Sequence, residues 1–392
     1  MKVLITTDLY IPTINGVVTS VVNLRKELTR LGHEVKVLTL SQNNDSYIED
    51  NVVYIGSRNA QKIYPGARFT LTFDSEYIEE LIRWKPDIIH TQCELSTFRM
   101  AKYIANILDI PIVHTYHTVY EDYTHYFSPN RKLGKKIVTL FTRRILKHVD
   151  LVIAPTEKVK SLLISYGVDK EIYIIPTGID LNRFNEDVDY NEKKILREKI
   201  GIPSNSKVLI NVSRLAREKN IEELLFFISK LEDDNLVLLI VGDGPHREEL
   251  ESYANKLGIS NKVFFTGFVP PNEVHKYYKL GDVFVNASNS ETQGLTYIEA
   301  LASGLPVLCK EDPCLKGVVK NGINGWQYKN FDDFIRKLYS ILDKEKYVTL
   351  KENAKQNAWQ EFSSETFAKR VELVYERAIE NHYNMIPYTL NS

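Results

Sequence analysis

Two glutamates, Glu291 and Glu299, bracket a short run of sequence in which a polar loop leads into a helix. The β-rich run before it, residues 282–286, ends in polar residues, and apolar residues recur at helical spacing from Leu295 onward. Gly304 ends that pattern, as glycine commonly does at the end of a helix. We therefore expect Glu291 to lie just ahead of a helix and Glu299 to lie within it.

The beginning of this helix is predicted to bind an anion. The backbone N–H groups of Gly294, Leu295 and Thr296 would lie in its first turn, where such groups attract phosphate. A carboxylate repels phosphate, so we expect Glu291 to face a part of the ligand that carries hydroxyl groups. A sugar bonded to a diphosphate meets both requirements.

A basic pair, Arg214 and Lys219, follows the β-rich run 207–212. Parallel sheets bind ligands at the carboxyl ends of their strands, so this pair could neutralise a diphosphate. The arginine would act as a two-pronged donor and the lysine as a point charge. Alone, such a pair is more often a solvated surface feature, but together with the two glutamates it favours a binding site.

Short β-rich runs alternate with amphipathic helical stretches in two series, the pattern of parallel-sheet α/β domains. The runs are residues 3–7, 35–40, 87–90, 112–115 and 151–154, then 207–212, 236–241, 263–266, 283–286 and 307–308. A chain of 392 residues also exceeds what one hydrophobic core usually serves. We predict two Rossmann-like domains, 1–178 and 179–369, with a hinge near Gly178.

Composition bounds the function. A content of 43% hydrophobic and 26% charged residues is ordinary for a globular protein, and the net charge of −1 argues against a general nucleic-acid binder. Cys93, Cys309 and Cys314 lack the spacing of a zinc site or a disulfide framework. The first residues are apolar too briefly for a signal peptide, and no run approaches the length of a membrane-spanning helix. We expect a cytoplasmic protein.

The run from Glu291 to Glu299, with Arg214 and Lys219 upstream, resembles the acid-bracketed motif of retaining glycosyltransferases of family four. The resemblance extends over nearly the whole chain. It implies the α/β GT-B fold, in which two Rossmann-like domains have parallel sheets that face each other across a cleft. It further implies that the second domain binds the nucleotide-sugar donor, and that a final helix, about 370–392, packs back on the first domain.

The resemblance also implies roles for single residues. Glu299 would accept hydrogen bonds from the nucleotide ribose, while Glu291 and His117 would lie near the donor sugar. The implied catalytic residues are His117, Arg214, Lys219 and Glu291, and the implied donor-binding residues are Gly16, Arg214, Lys219, Phe268, Val269, Glu291, Gly294, Leu295, Thr296 and Glu299.

Gly16 follows the first β-rich run and opens a helix, so it could let the backbone approach a phosphate closely. That run is not followed by Gly-x-Gly-x-x-Gly, which removes the main support for a dehydrogenase. His114, His117 and His125 have no cysteine or helix-spaced histidine partner, so we expect no metal site and no cofactor besides the donor substrate. His114, inside a strand, is expected to be structural.

A basic segment follows, without an acidic residue from Tyr123 to Val149. At about 100° per residue, Lys135, Lys136, Arg143 and Lys147 fall on one side of a helix, and the apolar residues fall on the opposite side. Such a helix could lie on an anionic membrane, or its apolar face could pack on the sheet. The cations are Arg131, Lys132, Lys135, Lys136, Arg143, Arg144 and Lys147, and the apolar residues are Leu133, Ile137, Leu140 and Phe141.

Three stretches, residues 91–98, 114–126 and 300–306, are similar to diacylglycerol glucosyltransferases of Gram-positive bacteria. They imply retaining transfer of glucose from UDP-glucose to the 3-hydroxyl of 1,2-diacylglycerol, by an enzyme bound peripherally to the inner face of the cell membrane. Tyr116, Tyr120 and Tyr123 could line the acceptor groove or pack under a neighbouring helix. The alternatives are another acceptor (phosphatidylinositol, a polyprenyl-linked sugar or a soluble glycan) and a nucleotide-sugar epimerase. No protein partner is inferred.

Overall fold

The computed structural model describes residues 1–13, 15–60, 68–71, 76–117, 130–186, 188–289, 291 and 293–384. The chain divides into two compact units. The first, here the N-unit, contains Met1–Ile179 together with Ser364–Ser392, and the second, the C-unit, contains Asp180–Ser363. The boundary lies beside the predicted hinge at Gly178, and the segment that rejoins the N-unit begins at Ser364, a few residues before the predicted position.

The N-unit is built on an eight-stranded sheet. The strands of this sheet are β1 (Lys2–Thr6), β2 (Glu34–Leu40), β3 (Tyr47–Glu49), β4 (Val52–Ile55), β7 (Ile88–Thr91), β8 (Ile112–Thr115), β9 (Leu151–Ala154) and β10 (Ile172–Ile174). Two further strands, β5 (Arg58–Asn59) and β6 (Arg68–Phe69), form a separate two-stranded ribbon. The order is β10-β9-β8-β7-β1-β2-β4-β3, and all neighbours are parallel except β3 and β4. The predicted runs are the central strands.

Helices cover both faces of this sheet. They are α1 (Gly16–Arg30), α2 (Glu76–Trp84), α3 (Ser96–Leu108), α4 (Arg131–Leu146), α5 (Glu157–Ser165) and, from the end of the chain, α14 (Ser364–Asn384). In α14 the buried residues Phe367, Val371, Tyr375 and Ala378 recur at helical spacing and join the core formed by β1 and α1. The last helix is therefore part of the N-unit core.

The C-unit contains a six-stranded parallel sheet. Its strands are β11 (Lys207–Val212), β12 (Leu236–Val241), β13 (Val263–Phe265), β14 (Val283–Asn286), β15 (Val307–Lys310) and β16 (Gly325–Tyr328). The order β13-β12-β11-β14-β15-β16 is that of a dinucleotide-binding Rossmann domain. The order reverses between β11 and β14, and ligands of such sheets bind outside the carboxyl ends of the strands at that reversal.

The remaining helices belong to the C-unit: α6 (Asn182–Asn185), α7 (Tyr190–Ile200), α8 (Ile221–Ser229), α9 (Arg247–Lys256), α10 (Val274–Tyr278), α11 (Leu295–Ala302), α12 (Phe331–Leu342) and α13 (Lys344–Phe362). Every residue of β12 is buried, as expected for a parallel strand covered on both faces.

Cys93, Cys309 and Cys314 are free thiols. Among the described residues, no helix is long and apolar enough to cross a membrane.

Candidate active site

The strand-order reversal of the C-unit sheet carries the predicted donor-site residues. Arg214 and Lys219 lie in the loop after β11, and Glu291 lies in the loop after β14. Two hydrogen bonds join these loops: the Asn289 N–H donates to the Glu218 carbonyl oxygen at 3.0 Å, and the Asn220 amide donates to the Ala287 carbonyl oxygen at 3.2 Å. These hydrogen bonds hold the two loops together at the carboxyl edge of the sheet.

Lys219 and Glu291 form an ion pair across this edge. The lysine Nζ lies 2.6 Å from the glutamate Oε1, and the side chains are 21% and 11% exposed. Partial shielding from water strengthens such a pair compared with one on the open surface. Glu291 therefore holds the lysine in a defined position at the edge where an anionic ligand would bind.

Arg214 lies beside this pair and is more open to solvent. Its Nη2 donates to Glu218 Oε1 at 2.8 Å, and 67% of its side chain is exposed. A guanidinium group carries five N–H donors, so this contact leaves others for a ligand. The predicted contact of Arg214 with a diphosphate stays a prediction.

The loop after β14 enters α11 through Gly294, in a conformation that requires glycine. Its φ is +76°, and a Cβ atom there would lie 2.8 Å from Cδ2 of Tyr297. Leu295 then begins the helix, as the sequence predicted. Because Gly294 has no side chain to cap α11, the first N–H groups, including that of Thr296, can bind an anion.

Glu299 is half-buried in α11 and is not a free surface carboxylate. The buried Tyr278 hydroxyl donates to its Oε2 at 2.8 Å, and burial raises the pKa of Glu299. The carboxylate therefore has a fixed orientation.

Phe268 and Val269 follow β13 at the same edge of the sheet, where 69% of the Phe268 side chain is exposed.

In the N-unit the strand order reverses between β1 and β7, and the candidate residues follow β1 and β8 at the carboxyl edge of the sheet. His117 follows β8, and its Nε2 lies 2.6 Å from the side-chain oxygen of Gln92, which follows β7. Burial, with a smaller contribution from His114, lowers the pKa of His117 to about 3. Its imidazole is therefore neutral near pH 7. Gly16 is the first residue of α1, which Asn15 caps.

Two acidic residues of this edge were not predicted. Asp8 is buried just after β1, accepts a hydrogen bond from the Thr97 N–H at 2.8 Å and lies near Glu94. Burial, with a smaller contribution from Glu94, raises the pKa of Asp8 to about 6. Glu94 also lies 3.4 Å from His114 Nε2. Their position within a few residues of the ends of predicted strands was the signal that could have identified them.

Tyr116 packs inside the N-unit and does not line an open groove. Only 1% of it is exposed, and its hydroxyl lies 3.2 Å from Thr142 Oγ1 of α4. The packing alternative therefore holds for Tyr116, while Tyr120 and Tyr123 lie outside the described residues. His114 is buried in β8 and bonds Thr91 Oγ1 at 2.7 Å, which is a structural role.

Helix α4 does not pack by its apolar face, so of the two alternatives for that face the packing one is wrong. The buried positions are Gly134, Val138, Thr142 and Leu146, a stripe at four-residue spacing. Of the apolar face, Leu133 is 54%, Ile137 47% and Leu140 66% exposed, while Phe141 is half-buried. The stripe was missed because glycine and threonine do not count as apolar. The exposed cations are Lys132, Lys135, Lys136, Arg143, Arg144 and Lys147; the side chain of Arg131 lies outside the described residues.

Comparison with known proteins identifies the family. The family model Glycosyltransferase Family 4 matches residues 14–183, and Glycosyl transferases group 1 matches residues 192–358. The alpha-monoglucosyldiacylglycerol synthase of Streptococcus pneumoniae is 36% identical over 97% of this chain and 86% of its own length. That of Acholeplasma laidlawii is 35% identical over 97% of this chain and 98% of its own length. The chain belongs to glycosyltransferase family 4.

Solved structures agree with this assignment of fold. The structure of Anabaena HepE in complex with UDP and glucose matches this chain with a TM-score of 0.73 at 19% sequence identity. The match covers 96% of this chain and 100% of HepE. Sucrose-phosphate synthase from Thermosynechococcus elongatus matches with a TM-score of 0.72 at 19% identity, covering 97% and 99% of the two chains. The predicted GT-B fold class is confirmed, and the protein is a glycosyltransferase.

The raised pKa of Asp8 predicts a pH-dependent stability of this glycosyltransferase. Because its folded pKa of about 6 lies above the ordinary value of 3.8, Asp8 favours folding at low pH and loses that contribution as pH rises through 6. Relative to Asp8→Asn, the wild type should lose about 2 kcal/mol of unfolding free energy between pH 4 and pH 8. Urea unfolding at both pH values measures this, with exposed Asp169→Asn as control. Equal pH dependence in wild type and Asp8→Asn would contradict it.

Proposed function

We propose that this glycosyltransferase transfers glucose from UDP-glucose to the 3-hydroxyl of 1,2-diacylglycerol with retention of configuration. The product would be monoglucosyldiacylglycerol, made at the inner face of the cell membrane. The observation that carries the proposal is the similarity of nearly the whole chain to two alpha-monoglucosyldiacylglycerol synthases, at 36% and 35% identity. The geometry of the C-unit site supports UDP-glucose as the donor, and the exposed face of α4 supports a lipid as the acceptor.

The donor diphosphate binds at the reversal between β11 and β14. As the bond between the anomeric carbon and the diphosphate oxygen breaks, negative charge develops on that oxygen. Lys219, Arg214 and the first N–H groups of α11 stabilise it, and preorganised donors of this kind are the main source of such catalysis. The acceptor hydroxyl attacks from the same face, and the departing phosphate oxygen takes its proton.

The remaining donor contacts follow from the resemblance. Glu299, oriented by Tyr278 at 2.8 Å, accepts hydrogen bonds from the ribose. Glu291 and His117 contact the sugar hydroxyls, and Phe268 with Val269 lies against the base. Because protein cations and helix N–H groups already face the diphosphate, we expect transfer to proceed without an added metal ion or cofactor.

The outward face of α4 supports a membrane-bound acceptor. It presents Leu133, Ile137 and Leu140 among exposed lysines and arginines, and this combination of apolar and basic residues suits an anionic lipid surface. The apolar side chains would enter the interface while the cations pair with lipid phosphates, each worth about 1 kcal/mol. The enzyme would thus meet diacylglycerol at the membrane, without a protein partner.

Radiolabel transfer from UDP-glucose to diacylglycerol tests the proposed function. Purified protein should produce labelled monoglycosyl lipid in vesicles, and more of it when the vesicles contain phosphatidylglycerol. UDP-galactose and vesicles without diacylglycerol are the controls. Donor consumption without a lipid product would contradict the proposal and favour a soluble acceptor or an epimerase.

Removing the apolar contacts of α4 should weaken membrane binding. The double variant Leu133→Asp, Leu140→Asp loses two exposed leucines, each worth about 1.5 kcal/mol when buried in lipid, so vesicle binding should fall roughly 100-fold. Cosedimentation with phosphatidylglycerol vesicles measures this. The matched control is Tyr190→Asp, Ile195→Asp in α7, whose side chains are also exposed, at 78% and 64%. Equal loss in both double variants, or none in the first, would show that α4 is not the docking surface.

A further inference from the structure

A chain of buried hydrogen bonds leads from His117 to the last helix of the N-unit. His117 Nε2 lies 2.6 Å from Gln92 Oε1, and Gln92 Nε2 lies 3.1 Å from His90 Nε2. His90 Nδ1 in turn lies 2.7 Å from the Tyr375 hydroxyl of α14. Gln92 is 1% exposed, and His90 and Tyr375 are fully buried. Such a chain is costly to bury unless each link has the right polarity.

The chemistry of the links sets the direction of the chain. In the structure the Gln92 amide turns its oxygen to His117, and because an amide oxygen only accepts hydrogen bonds, the ring nitrogen of His117 that faces it carries the proton in this arrangement. The Gln92 NH₂ group only donates, so His90 Nε2 accepts and the His90 proton lies on Nδ1, which donates to Tyr375. Thr115, whose hydroxyl lies 2.7 Å from His90 Nε2, can donate to the same nitrogen.

Both imidazoles are neutral, as this direction requires. Burial lowers the pKa of His90 well below its ordinary value, with smaller contributions from His114 and His117. Burial likewise lowers the pKa of His117 to about 3. A neutral ring with its proton on Nε2 has an unprotonated Nδ1, which is a hydrogen-bond acceptor.

We propose that Gln92 is a positioning residue that holds His117 in the Nε2–H form, so that Nδ1 accepts a hydrogen bond from a hydroxyl of the donor sugar. The inference rests on the proposed function, since it takes His117 as the group that contacts the sugar. His90 and Tyr375 fix the orientation of the Gln92 amide, so α14 contributes to the position of His117 through Tyr375.

The imidazole nitrogens of His117 provide a direct test. In protein labelled with ¹⁵N-histidine, the two-bond couplings at pH 8 should show the Nε2–H tautomer for His117, assigned by loss of its signals in His117→Asn. Gln92→Met removes the acceptor and should leave a mixture of tautomers, whereas Gln92→Glu keeps an acceptor and should keep the Nε2–H form. An Nδ1–H His117 in the wild type would overturn the proposal without any variant.

Kinetics add a second readout. Gln92→Met should lower kcat about 10- to 100-fold with little change in the KM for the lipid acceptor, because the sugar is misplaced while the acceptor surface is intact. Tyr375→Phe, which removes only the end of the chain, should lower kcat less. An unchanged kcat in Gln92→Met with wild-type transfer would overturn the positioning role. An inactive wild type with Nε2–H His117 would refute the proposed function and still support the tautomer assignment.

Discussion

The contact between Lys219 and Glu291 is the one on which the candidate donor site depends. It joins loops that follow two neighbouring strands, and its 2.6 Å distance fixes a long, flexible side chain before any ligand arrives. A free lysine loses about 1.5–2 kcal/mol of side-chain entropy when it is immobilised. Because Glu291 already restrains Lys219, less of that loss remains when a diphosphate binds. The same carboxylate also offsets the charge of Lys219 in the absence of an anion.

This contact exists only because of the sheet order. Parallel strands end at one edge, so the loops after β11 and β14 meet there although they are far apart in sequence. The N-unit repeats the principle between β1 and β7, where Asp8 and Gln92 follow neighbouring strands. In each unit, buried strands give a rigid base, and the polar residues that follow them carry the chemistry.

Much of this arrangement could be predicted from periodicity and position. The central strands, the start of α11 at Leu295 and the placement of Arg214 follow from local patterns. Short strands such as β10 and β16 were missed because three or four partly exposed residues carry no clear alternation. The Tyr278–Glu299 bond and the chain from His117 to Tyr375 could not be predicted, since each joins elements whose contact depends on tertiary packing. Whether the apolar face of α4 packs on the sheet was left open by the sequence for the same reason, and the structure leaves Leu133 and Leu140 exposed.

Calorimetric binding of UDP and of uridine tests the central claim that the edge between β11 and β14 holds the diphosphate. Lys219→Ala should weaken UDP about 10- to 100-fold, the value of one charge-assisted hydrogen bond, and leave uridine unchanged. The control is Lys262→Ala, another ion-paired lysine, which precedes β13 at the opposite edge of the sheet. Unchanged UDP affinity in Lys219→Ala, or an equal loss for UDP and uridine, would contradict the account.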